Sequence, residues 1–259
     1  MHERLRAFLE RNEAENHLFL GILATAPEGT RPLLVEDCGE IAAACIFVER
    51  NAVVAGDTRF APQLVEDWRL DVPGLVGRDD LAAAWAQEWS RRRGCQARRA
   101  VSQRVYRLDH LSEPATVPGQ ARVATDVDQL TDWIEGFESE ALAHERTSRE
   151  DNRANALRRT RAGNTYVWEV EGRAVSMAAL ARPSRNGICV NFVYTPPEFR
   201  GRGYASAITA AVTRTGLEAG HRFCCLYTDL SNPTSNSIYM KLGYRPVVDS
   251  AQYQFKYPV

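Results

Sequence analysis

The segment from Ile188 to Gly220 most constrains how this chain can fold. An apolar run, Ile188 to Thr195, ends in two consecutive prolines, Pro196 and Pro197. Proline fixes φ and donates no N–H, so a strand stops at such a pair. Arg200-Gly201-Arg202-Gly203 follows, a basic turn with alternating glycines. Beyond it Ala207, Ile208, Ala211, Val212 and Thr215 recur at helical spacing until Gly220. Strand, glycine turn and helix start, in that order, put unpaired backbone N–H groups at the positive end of a helix dipole. A phosphate can sit there. The plainer alternative is a turn that only joins a strand to a helix.

At 259 residues the chain exceeds one small domain. Two domains, or one with a large extension, are expected. Hydrophobic residues at 44% and charged residues at 25% fit a globular protein with a real core. A formal net charge of -1 argues against a nucleic-acid partner. The first residues, Met1-His2-Glu3-Arg4-Leu5-Arg6, lead into no signal peptide, and no apolar run reaches membrane length. The reading is a cytoplasmic protein with no membrane partner. Cys38, Cys45, Cys95, Cys189, Cys224 and Cys225 lack Cys-x-x-Cys spacing and read as reduced, mostly buried thiols. Apart from the adjacent His144-Glu145, the histidines pair with no ligand at metal spacing, so no metal is expected.

Residues 1–115 read as a smaller N-terminal α/β domain. A helix from Leu5, Phe8 and Leu9 continues toward Leu20, and strands follow over 31–36, 41–48 and 52–56. A short helix spans Gln63 to Trp68, and an extended piece spans Val72 to Gly77. Asp79-Asp80 opens a helix with Leu81, Trp85 and Trp89 on one side, stopped by Gly94, and Arg99 to Leu108 is a closing strand. Asp109 to Gln120, with Pro114, Pro118 and Gly119, is the linker.

Residues 120–259 form the second domain. A strand at Arg122–Thr125 precedes a helix capped by Asp126, with Leu130, Trp133, Ile134 and Phe137 on its buried face. His144-Glu145-Arg146-Thr147 is a polar loop, and Ser148 caps a second helix. Three strands follow, turning at Glu171-Gly172 and Asn186-Gly187. After the glycine turn and its helix come a strand from Arg222 to Thr228 and a helix opened by Asn232-Pro233. Strands at Tyr244–Val248 and Gln252–Tyr257 close the chain. The fold class is α/β (α+β), a mixed twisted sheet of roughly six or seven strands flanked by helices.

Three matches make this half resemble the GNAT superfamily of N-acetyltransferases. Arg200-Gly201-Arg202-Gly203-Tyr204-Ala205 matches the family's glycine loop between a strand and a helix. Asn232, Ser235 and Tyr239 stand at the spacing of the family's downstream Asn, small residue and Tyr. Lys241-Leu242-Gly243-Tyr244 matches its common helix end. The N-terminal half lies outside the match and is similar to the degenerate GNAT-like domain that some bacterial members place there.

The resemblance implies acetyl-CoA as acyl donor and transfer to a primary amine of a small molecule or peptide, by direct attack on the thioester. It implies that amides from Arg202 through Ser206 hold the pyrophosphate, with Gly201, Gly203, Tyr204 and Ala205 shaping the turn. Arg200 or Arg202 adds charge. Val193, Tyr194 and Thr195 would offer backbone groups to the pantetheine arm. Asn232 contacts that arm, caps a helix, or does both, with Ser235 beside it. Tyr239 takes the position of the acid that protonates the leaving thiolate; its alternative is an aromatic packed between helix and sheet. Some members place a Glu base on the strand before the loop, where this chain offers Asn191. Glu198 reads as structural, Glu140, His144 and Glu145 fall in the region that lines family acceptor sites, and the base stays unassigned. The competing reading is a non-catalytic acyl-CoA-binding or interaction module. A third keeps the cofactor but changes the acceptor to a hydroxyl or the donor to a longer acyl chain.

Overall fold

The computed structural model describes residues 2–48, 51–66, 68, 71–141 and 147–258. In chain order the elements are α1 (His2–Glu10), α2 (His17–Thr25), β1 (Leu33–Asp37), β2 (Glu40–Val48), β3 (Asn51–Gly56), a 3-10 turn (Thr58–Phe60), α3 (Ala61–Glu66), β4 (Gly74–Arg78), α4 (Asp79–Arg93) and β5 (Gln96–Leu108). There follow β6 (Gln120–Val123), α5 (Val127–Ala141), α6 (Arg149–Ala162), β7 (Thr165–Val170), β8 (Arg173–Ala181), β9 (Gly187–Tyr194) and a 3-10 turn (Pro197–Phe199). The chain ends with α7 (Tyr204–Glu218), β10 (Phe223–Asp229), α8 (Pro233–Lys241) and β11 (Arg245–Lys256).

Two compact units result, and no single cut in the sequence separates them. The first holds Met1–Val105, Tyr227–Ser231 and Pro246–Val259; the second holds Tyr106–Leu226 and Asn232–Arg245. In the first, β1, β2 and β3 pair antiparallel, and β4 joins β3 in parallel from Asn51↔Gly74 to Val54↔Gly77. The chain's last strand, β11, pairs antiparallel with β4 from Ser250↔Arg78 to Gln254↔Gly74. Its core stacks Trp85 on Trp89, ring centroids 4.6 Å apart, and sets both against Phe255 of β11. The Tyr257 hydroxyl accepts from Trp89 Nε1 and Val72 N and donates to the Val72 carbonyl, at 3.0, 3.1 and 2.8 Å.

In the second unit, β6, β7, β8 and β9 pair antiparallel in that order, and β10 joins β9 in parallel. α7 and α8 pack on one face: Ile208, Val212, Tyr239 and Leu242 meet Leu180, Ile188 and Val190. α5 and α6 pack on the other, where Leu130, Ile134 and Ala156 meet Val167 and Met177. Strand side chains alternate between faces, so each strand feeds two separate cores.

Three local expectations need correction. The first helix does not continue toward Leu20, because it stops at Glu10 and resumes at His17. Asn16 Nδ2 donates to the Leu9 carbonyl across that break at 3.0 Å. The two closing strands are one, β11. Asp249-Ser250 looks like a turn, yet Asp249 pairs with Arg104 and the Ser250 hydroxyl donates to the Gly77 carbonyl. Asn186-Gly187 is not a tight hairpin turn, because β8 ends at Ala181 and the loop runs to Asn186. Gly187 is needed there for another reason: a Cβ would run into the Phe223 ring.

Candidate active site

β9 is paired on both sides for only part of its length. Its parallel ladder with β10 runs Gly187↔Phe223, Ile188↔Cys224 and Cys189↔Cys225 and ends there. β9 itself continues to Tyr194. Its backbone groups from Asn191 to Tyr194 are therefore without strand partners on that edge among the described residues. An extended ligand can add to such an edge as another strand. On the opposite edge β9 bulges: Ala179 faces Asn191, but Met177 faces Tyr194. The extra residue is Phe192, in the left-handed region at φ +52°. The bulge turns Phe192 toward Phe137 of α5, with ring centroids 5.0 Å apart.

The end of β9 is fixed from two directions. The Ser176 hydroxyl donates to the Tyr194 carbonyl at 3.1 Å and meets Thr195 Oγ1 at 2.8 Å. α5 comes so close over Tyr194 that a Cβ on Gly136 would collide with the Tyr194 hydroxyl. Burial raises the Tyr194 pKa, and Glu140 adds to it.

Beyond the 3-10 turn, Gly201 and Gly203 both adopt left-handed backbone, at φ +76° and +82°. A Cβ on Gly201 would meet nothing within 4 Å, so its surface is open; one on Gly203 would touch Val117 at 3.0 Å. Gly203 is the N-cap of α7 and offers no side chain, and the first helical bond is Ala207 N to Gly203 O, 3.1 Å. The amides of Tyr204, Ala205 and Ser206 thus lack helical partners and stand beside an open glycine surface, as an anion nest requires. Tyr204 is buried against Phe199 and Val175, which anchors the start of the helix. The Ala205 carbonyl accepts from Thr209 Oγ1 at 2.7 Å.

The two arginines of the turn differ. Arg200 Nε donates to the Thr195 carbonyl at 2.9 Å, and its Nη2 pairs with both Glu140 oxygens at 2.7 Å. It ties the loop to β9 and α5. Arg202 is exposed and has no ion-pair partner among the described residues. Glu140 is thereby committed to Arg200, while His144 and Glu145 lie outside the described residues.

α8 opens as its first residues imply. Asn232 Oδ1 accepts from Ser235 N at 3.0 Å, and Pro233 follows as the first helical residue. The cap uses only the Asn232 oxygen and leaves its amide nitrogen for another contact. Tyr239, 7% exposed, lies in one apolar cluster with Val190 and Val193 and packs edge-on against Tyr244 at 6.1 Å. Burial pushes its pKa up to about 12, against a smaller lowering by the hydrogen bond to Ser235. The structure thus brings Tyr239 and Ser235 together with the free stretch of β9 on the α7–α8 face.

The opposite face holds Asn191, together with Thr165, Arg159 and Glu138, which belong to no motif in the sequence. Asn191 Oδ1 is buried without a hydrogen-bond partner among the described residues, as is Thr165 Oγ1. The Arg159 guanidinium lies 3.9 Å over the Phe192 ring. Glu138, 8% exposed, accepts from Thr147 and from Asn152 Nδ2, fastening α5 to α6. Arg159 stands in the run Arg158-Arg159-Thr160-Arg161, where only a helical wheel marks which arginine turns inward. Among the described residues no group of three or more His, Cys, Asp or Glu is placed to hold a metal, and no helix is long and apolar enough to cross a membrane.

Residues 127–244 match the model of the acetyltransferase (GNAT) family. No curated protein matches the chain. A GCN5-related N-acetyltransferase from Kribbella flavida is similar in structure, with TM-score 0.64, 16% identity and 94% of each chain covered. One from Sphaerobacter thermophilus gives TM-score 0.63 and 17% identity over 96% of this chain and 91% of that one. A tandem GNAT protein from the clavulanic acid biosynthesis pathway gives 0.52 and 15% over 92% and 86%. At these identities the likeness is one of fold, and the fold is the GNAT fold. Family match and site geometry fall on the same residues: the segment from 127 to 244, which matches the acetyltransferase (GNAT) family, carries the free edge of β9, the glycine turn and Tyr239.

Proposed function

We propose that the protein is an acetyl-CoA-dependent N-acetyltransferase acting on a primary amine. One observation carries this: an open glycine nest at a helix start directly follows a strand edge that has lost its partner. The nest suits a pyrophosphate and the edge suits an amide-bearing arm. In this reading the amides from Arg202 to Ser206 hold the pyrophosphate, and the exposed Arg202 adds charge to it. Val193, Tyr194 and Thr195 offer backbone groups to the arm, and the Asn232 amide nitrogen contacts it. When bound, acetyl-CoA supplies the thioester that the amine attacks.

The protein's part is then to place protons. An alkyl amine of pKa about 10.4 is mostly charged at neutral pH and must shed a proton before it is nucleophilic. Asn191 can accept a hydrogen bond from the amine but cannot take its proton. A water held near Asn191 carries the proton out. Tyr239, with its pKa pushed up to about 12, stays protonated through the neutral range, so its Oη holds a proton for the departing sulfur. The first unit repeats the element order of the second, and we read it as a GNAT-like copy that shapes the molecule without binding coenzyme A.

Asn191, standing where a carboxylate base is absent, favours a second reading, a non-catalytic acyl-CoA-binding module. Calorimetry with acetyl-CoA, joined to a thiol-release assay over a broad amine panel, separates the two. Binding with turnover supports the enzyme, binding without turnover supports the module, and no binding at high micromolar concentration sinks both.

A further inference from the structure

Resting on the acetyltransferase reading, we infer that the acceptor is an amine that also carries a carboxylate, with Arg159 binding the carboxylate and Asn191 the amine. Thr165 of β7, Ala179 of β8 and Asn191 of β9 stand opposite one another across three strands. All three face α5 and α6. Val167, two residues on from Thr165, packs there, while Val190, next to Asn191, packs on the opposite face. The middle residue contributes only a methyl, so the row carries a polar atom at each end and no polar side chain between them. Both of those atoms, Thr165 Oγ1 and Asn191 Oδ1, are buried without partners among the described residues. Buried polar atoms are nearly always satisfied, and two orphans in one row call for a polar ligand.

Arg159 reaches this face from α6. Its Nε donates to Asn155 Oδ1 at 3.1 Å, its guanidinium carbon lies 3.9 Å over Phe192, and no carboxylate among the described residues pairs with it. Its charged neighbours are Arg182 and Arg158; burial first, then these two charges, bring its pKa down to about 10. Arg182 stands on the same face, its Nη2 donating to Cys189 Sγ at 3.4 Å, two residues before Asn191. A half-buried guanidinium among like charges gains from an anion, and its planar fork matches a carboxylate. Phe137 and Phe192 supply an apolar wall.

The position suits an acceptor. The free edge of β9 starts past Val190, at Asn191, and the glycine nest lies past its other end. An arm held along that edge from the nest ends beside Asn191. Tyr239 lies on the α7–α8 face and Arg159 on the α5–α6 face, so leaving group and acceptor would meet the thioester from opposite sides.

Calorimetry tests this on the full chain saturated with coenzyme A, with N-acetylglycine, N-acetylleucine and their primary amides as probes. The acids are expected to bind about tenfold or more tighter than the amides, the worth of one charge-assisted pair. Arg159→Gln should abolish that difference and leave acetyl-CoA affinity within about twofold. Arg159→Lys, which keeps the charge and loses the fork, should restore part of it and covers the case in which Arg159→Gln fails to fold. Equal binding of acids and amides, or a preference that survives Arg159→Gln, overturns the assignment. If acetyl-CoA binds and none of the probes does, the acceptor assignment falls alone. If acetyl-CoA does not bind, the acetyltransferase reading falls and takes this one with it.

Discussion

The two units repeat one order of elements: two helices, three antiparallel strands, a 3-10 turn, a helix, a strand parallel to the third, and another helix. They differ at the turn that follows the third strand. In the first unit Asp57 caps that turn, accepting from Arg59 N at 2.9 Å and from its guanidinium at 2.8 and 3.0 Å. The helix behind it, α3, is 6 residues long and has Pro62 at its second position. In the second unit the corresponding helix, α7, has 15 residues and a glycine cap with no side chain to offer. In the first unit the 3-10 turn runs straight into α3, with Ala61 N donating to the Thr58 carbonyl; in the second a glycine turn stands between, and the first amides of α7 are left open. One order of elements therefore gives two different turns, and in the proposed reading a few residues there decide which can hold a phosphate. We propose that this difference is what makes the first unit a degenerate, GNAT-like partner of the second.

The largest expected effect is on turnover. Tyr239→Phe should lower kcat by about 100-fold, the scale of a lost general acid, with acetyl-CoA affinity unchanged. Unaltered turnover across pH would take Tyr239 out of the mechanism. Next is packing around the free edge. Gly136→Ala should cost about 1–3 kcal/mol in a denaturant melt, because the new methyl meets the Tyr194 hydroxyl. No cost would mean that α5 does not press on β9 as described.

Smaller still is a pH effect. The Tyr239 pKa is pushed up to about 12 in the folded chain. The unfolded chain loses that proton near pH 10 and the folded chain only later, so stability is full below about pH 10 and falls as pH rises toward 12. Tyr239→Phe should flatten part of the alkaline decline in melting temperature, and an unchanged profile would contradict the burial of the hydroxyl. Smallest is the Arg200–Glu140 pair, with both side chains 46% exposed. A double-mutant cycle should give a coupling of about 0.2–1 kcal/mol. A value well above that would mean the pair holds the loop more firmly than an exposed ion pair can.

What the sequence disclosed followed the range of each interaction. The glycine turn, the Asn232 cap and the Asn232-to-Tyr239 register are local, and all lie where their spacing implies. The exchange that gives β11 to the first unit rests on pairing between residues far apart in sequence, which no periodicity signals. The bulge at Phe192 left no trace either, since a left-handed Phe is held by packing rather than by its own preference. The choice between Arg200 and Arg202 needed the position of Glu140, and Arg159 needed the helix placed on its sheet.

The difference between the two turns is tested most directly by calorimetric titration of the full chain with acetyl-CoA, repeated on Gly203→Val and on Asp57→Ala. The expected result is one equivalent bound per chain, weakened about tenfold or more by Gly203→Val, which strains the φ +82° backbone, and unchanged by Asp57→Ala. Two equivalents per chain, or binding that survives Gly203→Val in a folded protein, would contradict the account.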